Sequence, residues 1–565
     1  MPLESPAAND FVMIGHCNST DRCLLTATNS TVLDFIGSAE HDGADFICAQ
    51  DDFWIDMLPA STNLRLCAVL LLAGLFVACP AKRTANAAET PRPNIVFILC
   101  DDLGYGDVGC FGQKRFRTPN IDRLAAEGMR LTVHYSGSAV CAPSRCALMT
   151  GQHPGHGFIR GNRQYRPDSE GQWPLPAEEV TLAELLKSLG YATGAFGKWG
   201  LGPPATAGDP LRQGIDRFFG YNCQALAHNF YPTYLWDNAV RRTLDNPDFA
   251  AHQKFPDGAD PHARASYARF TAKQYAPDLI SEQARQFVRD HRDHPFFLYY
   301  PTTVPHLALQ VPDDSLAEFE GKFGDEPYLG DRGYLPQRTP RAAYAAMITR
   351  LDQEIGRLID LVESLGLTEQ TIFVFTSDNG PLDDRYGGTD SDFFRSAGDF
   401  RGRKGSLYEG GIRVPCIVRY PRRIVAGSET ARITGFEDWL PTCLDLVGAR
   451  DATPRGIDGI SFGPTLLGQK QEPRPFLYRE IPEYGGQQCV REGNWKAVRQ
   501  KLHPGPKVPL APGDVELYDL ESDPSESTDV AAKHPDVVAR LAKLLSGQHV
   551  KSEVFPMRAL DAESE

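Results

Sequence analysis

At 565 residues and 42% hydrophobic content, the chain is long enough for two globular domains. A formal net charge of −15 excludes a general nucleic-acid binder, which would show a basic stripe, but leaves room for an anionic substrate in a locally basic pocket. The 13 cysteines lack metal-finger spacing, their close sets being Cys17/Cys23 and Cys141/Cys146, so no zinc module is implied. Residues 1–56 have no clear period and are expected to be an upstream extension ahead of a fresh start at Met57. Arg65, the apolar run 66–79 and Ala85-Asn86-Ala87 then make residues 57–87 a secretory signal peptide. The apolar run is shorter than the roughly 20 residues of a membrane span, so the mature chain is expected to be secreted or periplasmic, without a transmembrane segment. A lipid anchor on Cys79 ranks second, because Phe76 stands where a lipobox prefers leucine.

The folded part opens with Asn94-Ile95-Val96-Phe97-Ile98-Leu99-Cys100, an apolar run rich in branched residues that reads as a buried strand. Asp101 and Asp102 follow at once. Ligands of open α/β sheets collect beyond the carboxyl ends of strands, so two carboxylates there suit a hard cation; an isolated pair would also serve a turn. Thr118-Pro119 starts a helix that Gly128 ends, and residues 129–135 resume as a strand. Cys141-Ala142-Pro143-Ser144-Arg145 reads as the start of a short helix, with Pro143 suited to its first position and Gly151 placed to stop it. Cys141 then faces the positive end of the helix dipole and Arg145 adds a fixed charge, which together make an anion site. Taken alone, this cysteine equally reads as a structural residue in a turn.

Thr181 and Glu184 form a capping box for a helix closed by Gly190, and strand 191–197 delivers Lys198. Residues 202–275, rich in Pro, Gly, Asn and aromatics, read as long loops around a pocket. A helix at 278–290 and a strand at 295–300 restore the alternation and lead to Pro305-His306. The amphipathic helix 341–365 ends at Gly366, strand 371–377 runs into Asp378-Asn379-Gly380, and a charged loop at 381–403 precedes Lys404. A strand at 414–420 and a helix at 438–447 complete the alternation. Short strands at 476–480, 488–491, 495–499 and 516–519 then follow without intervening helices, with a helix at 536–545 packed on them.

Cys141 to Arg145 match the C-x-P-S-R signature, and with the acidic strand ends and two lysines in the same order, the stretch from Asn94 to Leu544 resembles the formylglycine-dependent sulfatases. The resemblance implies an alkaline-phosphatase-like α/β fold, with a large, mostly parallel sheet flanked by helices over 93–450 and a smaller C-terminal α+β domain with an antiparallel sheet over 451–565. It implies oxidation of Cys141 to formylglycine (3-oxoalanine) by a formylglycine-generating or sulfatase-maturating enzyme. It also implies one divalent cation, usually Ca2+, held by Asp101, Asp102, Asp378 and Asn379 together with the modified Cys141. Oxygen donors of that kind suit calcium or magnesium rather than zinc.

By the same resemblance, one hydroxyl of the hydrated aldehyde attacks sulfur and the other lets the aldehyde reform and expel sulfate. Arg145 holds the hydrate, Lys198 and Lys404 bind the sulfate oxygens, and His306 protonates the leaving alcohol. Read singly, Lys404 is a solvated charge and His306 a turn residue; their place in the pattern gives them these roles. The expected substrate is a sulfated small molecule or a sulfated glycan, as for an arylsulfatase or a carbohydrate sulfatase. One departure stands out: the family usually has a histidine two residues after the lysine, where this chain has Gly200, and His153 or His156 could reach that space. Two alternatives remain. A phosphoryl-ester hydrolase on the same fold would usually carry Ser or Thr as nucleophile and two zinc ions, and Gly200 makes a catalytically impaired sulfated-glycan-binding protein thinkable.

Overall fold

The computed structural model describes residues 92–563 apart from Asp168 and Asp384; the expected upstream extension and signal segment lie outside them. The strand Asn94–Cys100 is buried along its whole length and bonded in parallel on both sides, to Phe296–Pro301 and to Thr371–Ser377. Ala192–Lys198 and Arg217–Tyr221 extend the parallel run beyond Phe296–Pro301. Antiparallel pairings close both flanks, through Tyr234–Asp237 and Val240–Thr243 on one side and Cys416–Arg419 and Met129–Leu131 on the other, where Ser428–Thr430 lies outermost in parallel with Met129–Leu131.

Apolar strands without polar alternation need cover on both faces, and this sheet has it. Val96 and Ile98 pack with Ile280 and Phe287 of helix Ala276–Asp290 and with Ile348 and Leu351 of helix Pro340–Ser364. Ile95, Phe97 and Leu99 face the other way, against Ala142 and Cys146 of helix Cys141–Thr150 and Trp439 of helix Trp439–Leu446. The two-residue period of one strand thus sorts the core into two layers.

A separate antiparallel sheet of Leu477–Ile481, Gln487–Glu492, Trp495–Gln500 and Glu516–Asp519 follows in chain order. Helix Pro535–Gly547 covers one face through Val537, Leu541 and Leu545. The opposite face packs on Tyr135, Val140, Leu407 and Ile412, so the small sheet shares a core with the segments beside Cys141.

Three local expectations shift. The strand expected at 129–135 is two, because His134–Tyr135 leaves the large sheet to pair with Thr434–Gly435, while the Tyr135 hydroxyl is drawn to Glu409. Residues 202–275 contain three strands of the large sheet, whose Gly220 and aromatics mask the period. The short helix begins at Cys141 itself; Pro143 is tolerated there because N–H groups of a first turn have no intrahelical acceptor.

One buried ion cluster joins the small sheet to the rest: Lys496 Nζ lies 2.9 Å from both Glu409 Oε1 and Glu526 Oε1. Removing the ammonium takes the near cation from buried Glu526 and leaves Glu409 to Arg413 and the Tyr135 hydroxyl, so Lys496→Met is expected to cost about 3–5 kcal/mol, read as a lower urea midpoint. A loss under about 1 kcal/mol would show that the cluster is not needed to keep those carboxylates inside.

Candidate active site

Parallel strands that end at one edge carry their next residues to one place. The register sets Cys100 opposite Ser377, so Asp101-Asp102 and Asp378-Asn379 leave neighbouring strands side by side. Lys198 is the last residue of its strand, and Phe296–Pro301, lying between that strand and Asn94–Cys100, leads through residues 302–305 to His306. The edge is held by hydrogen bonds: Asp378 N donates to Cys100 O at 3.0 Å, Asp101 N to Val304 O at 3.2 Å, and Leu103 N to Ser377 Oγ at 2.9 Å.

Cys141 comes from the other side, buried at the first position of its helix. Its Sγ is 3.4 Å from Asp101 Oδ1, 3.6 Å from Lys198 Nζ and 3.5 Å from Lys404 Nζ. Lys198 pairs with Asp101 at 2.5 Å and Lys404 with Asp102 at 2.7 Å. One turn along, Arg145 Nη2 lies 2.7 Å from Asp378 Oδ2 and 3.4 Å from Asp101 Oδ2, while Nη1 donates to the Lys198 carbonyl. His306 Nδ1 is 2.7 Å from the Leu307 carbonyl, which only accepts, so the neutral ring keeps its proton there and leaves Nε2 free, 3.5 Å from Asp102 Oδ2. The nine expected site residues therefore converge.

The loop bearing Lys404 is tied down from two sides. Gln487 of the small sheet accepts from Leu407 N at 3.0 Å and donates to the Gly405 carbonyl at 2.7 Å. Gly405 N in turn donates to Ala139 O at 2.9 Å, just ahead of Cys141.

Electrostatically, three carboxylates face three cations. Burial, reinforced by Asp101 and opposed by Arg145, pushes Asp378 up to about 6. Burial also raises Asp102 against the pull of Lys404. It would raise Asp101 too, but Lys198, with Arg145 and Lys404, outweighs it and holds that carboxyl well below its usual range. Burial and then the lysines, Lys404 first, keep His306 far below an ordinary imidazole, and burial with Asp101 pushes the Cys141 thiol up, away from thiolate.

The residues fit a hard divalent cation. Ligand atoms of Asp101, Asp102, Cys141 and Asp378 lie within 4.8 Å of one another. Asn379 Nδ2 donates to Asp102 Oδ1 at 2.7 Å, while Asn379 Oδ1 is buried without any donor. Such an acceptor is costly unless a cation takes it, and oxygen-rich sets of this size suit calcium or magnesium.

Over this cluster opens a cavity of about 510 Å³, lined by Cys141, Lys404 and His306 and also by Gln224, His228 and Tyr334. Sequence reasoning did not single out the last three: Gln224 and His228 stand in the stretch 202–275 read as long loops around a pocket, and Tyr334 in the stretch between His306 and the helix at 341–365, which carries no local signal. Their arrangement is specific: Tyr334 N donates to His252 Nδ1 at 3.0 Å, so His252 carries its proton on Nε2 and gives it to His228 Nδ1 at 3.2 Å. His228 therefore holds its own proton on Nε2, its ring stacked on His306 at 5.0 Å. His153 and His156 do not reach the space beside Gly200. His156 Nδ1 is 2.8 Å from Asp458 Oδ1, His153 Nε2 is 3.1 Å from Gln548 Oε1, and neither lines the cavity.

Comparison with known proteins agrees with this geometry. A protein-family model described as Sulfatase matches residues 93–449, and one described as N-sulphoglucosamine sulphohydrolase, C-terminal, matches residues 400–551. Human arylsulfatase A is 35% identical over 507 residues, covering 84% of this chain and 89% of its own. An N-acetylgalactosamine-6-O-sulfatase of Bacteroides thetaiotaomicron is 30% identical, covering 85% and 98%. A solved structure titled for the metabolism of multiple glycosaminoglycans by that bacterium superposes with a TM-score of 0.63 at 27% identity, covering 81% of this chain and 99% of that one. With the Sulfatase model spanning more than half of its length and relatives aligned over most of it, this chain belongs to the sulfatase family and hydrolyses sulfuric esters.

Proposed function

We propose that the substrate is a sulfate ester of a sugar, cleaved with Cys141 oxidised to formylglycine by a maturating enzyme and with a calcium ion at the carboxylate cluster. The observation that carries this reading is the position of Cys141, at a helix N-terminus with one lysine at 3.6 Å and another at 3.5 Å from Sγ. An aldehyde hydrate there supplies a hydroxyl nucleophile that a buried, protonated thiol does not. Asp101, Asp102, Asp378 and Asn379 would hold the cation, which would supply charge to offset the sulfate and to acidify that hydroxyl.

The chain's own residues divide the remaining work. Lys198 and Lys404 flank position 141 and turn from the carboxylates to sulfate oxygens as the ester enters. Arg145 has its donors on Asp378, Asp101 and a backbone carbonyl, so it acts by holding those carboxylates in place. His306 is kept neutral by burial and the lysines; an anion arriving beside it offsets the lysines and raises its affinity for the proton that the leaving oxygen needs.

Two things support a sugar over an aryl group. The cavity walls combine the amides of Asn162, Gln164 and Gln172 with Tyr334, Tyr386 and Tyr484, hydrogen-bonding groups for hydroxyls beside flat apolar faces. The N-acetylgalactosamine-6-O-sulfatase and the glycosaminoglycan-metabolising neighbour also act, by their names, in sugar chemistry.

Mass spectrometry of the peptide around Cys141 is expected to show the aldehyde, and Cys141→Ala to abolish turnover without unfolding. A fully active enzyme with an intact thiol would refute the formylglycine assignment. Asp378→Ala and exhaustive chelation should each remove both cation binding and turnover; wild-type activity in a metal-stripped sample would dismiss the cation site. His306→Ala should slow a sugar sulfate by about 10²–10⁴-fold and a nitrophenyl sulfate much less, because the better leaving group needs no proton. Equal losses for both, seen mainly in KM, would take His306 out of the acid role.

A further inference from the structure

Gly200 stands two residues beyond Lys198 with a φ of 79°, in a backbone region that residues with a Cβ seldom adopt. A Cβ built there would lie 2.7 Å from Gln224 Nε2 and 3.8 Å from Arg145 Cδ. The amide of Gln224 thus fills the space that a side chain at position 200 would take, next to the arginine that clamps Asp378.

The main chain around Gln224 is fixed. Trp199 N donates to Tyr221 O at 2.9 Å and Gly200 N to Asn222 O at 3.3 Å, continuing the strand pairing past Lys198. Gln224 N itself donates to Gln172 Oε1 at 3.0 Å. The side chain is held just as closely, with Gln224 only 6% exposed, yet neither Nε2 nor Oε1 has a partner. A buried amide left with both polar atoms unpaired is unfavourable, and native folds rarely retain one without a use. Gln224 lines the cavity that also exposes Cys141, Lys404 and His306, which makes a group bound in this cavity a candidate for the missing partner.

We propose that Gln224 contacts the substrate, its Nε2–H donating to an oxygen of the sulfate group in the space left by Gly200. The proposal rests on the reading of the cavity as the sulfate site. Glycine at 200 is the complement of glutamine at 224: any Cβ there displaces the amide. An amide donor carries no charge and does not titrate, so this contact persists across the working pH range, unlike one made by an imidazole.

The test uses the matured, cation-loaded protein and inorganic sulfate as probe, with affinity measured by calorimetry and folding checked by thermal melts. Gln224→Leu keeps the bulk and removes the donor, and should weaken sulfate roughly 10- to 100-fold, the worth of a hydrogen bond to a charged acceptor. Gln224→Glu keeps the shape and reverses the electrostatics, and should weaken it further. Gly200→Ala should reproduce the loss, and Gly200→Ala combined with Gln224→Leu should bind sulfate no worse than Gln224→Leu alone, since both changes remove one contact. If the leucine variant does not fold, the near-isosteric glutamate variant decides. Sulfate affinity within about twofold of wild type in the folded Gln224 variants overturns the proposal. Failure of the wild-type protein to bind sulfate would instead overturn the reading of the cavity, and this contact with it.

Discussion

Three buried carboxylates brought to one point are the constraint on which the rest of the site depends. Ligand oxygens of Asp101, Asp102 and Asp378 lie within 4.8 Å of one another, and at an effective dielectric of about 20 each such pair repels by roughly 3–4 kcal/mol. The fold keeps them there by drawing a cation from each of three elements: Lys198 from a strand end, Arg145 from a helix and Lys404 from a loop. Three positive and three negative charges cancel, which makes the cluster tolerable but leaves nothing over for an anion. A divalent ion added to this balance leaves two positive charges, the complement of the sulfate dianion that hydrolysis releases.

Much of this was legible in the sequence, for identifiable reasons. Asn94–Cys100 and Thr371–Ser377 are continuous apolar runs that end in Asp-Asp and Asp-Asn, so strand, edge and ligand are written in consecutive residues. Gly151 and Gly366 end their helices in the left-handed region, and Thr181 makes the capping box with Glu184. These signals are local, with cause and effect lying within a few residues of each other.

What was not legible is what long-range pairing decides. The break after Leu131 follows from partners at 409–435 that draw His134 and Tyr135 away from the large sheet. Strands between 217 and 243 carry Gly220 and aromatics whose pattern acquires meaning only beside Ala192–Lys198. Gln224 and His228 are ordinary polar residues until the chain sets one against Gly200 and stacks the other on His306. The departure at Gly200 was visible, but its counterpart 24 positions downstream was not, because no spacing rule links them.

The tether from Gln487 to the Lys404 loop bears on modularity. Sequence places the change of architecture near 450, yet an ammonium at the reacting centre is positioned through a side chain of the terminal sheet. Tyr484, on the turn before Gln487, lines the cavity as well. Homologous recombination that joins the last hundred residues of one relative to the body of another therefore exchanges part of the catalytic apparatus, not an appendage. The segment from 404 to 487 is inherited as a unit, and successful chimeras are those whose junctions fall outside it.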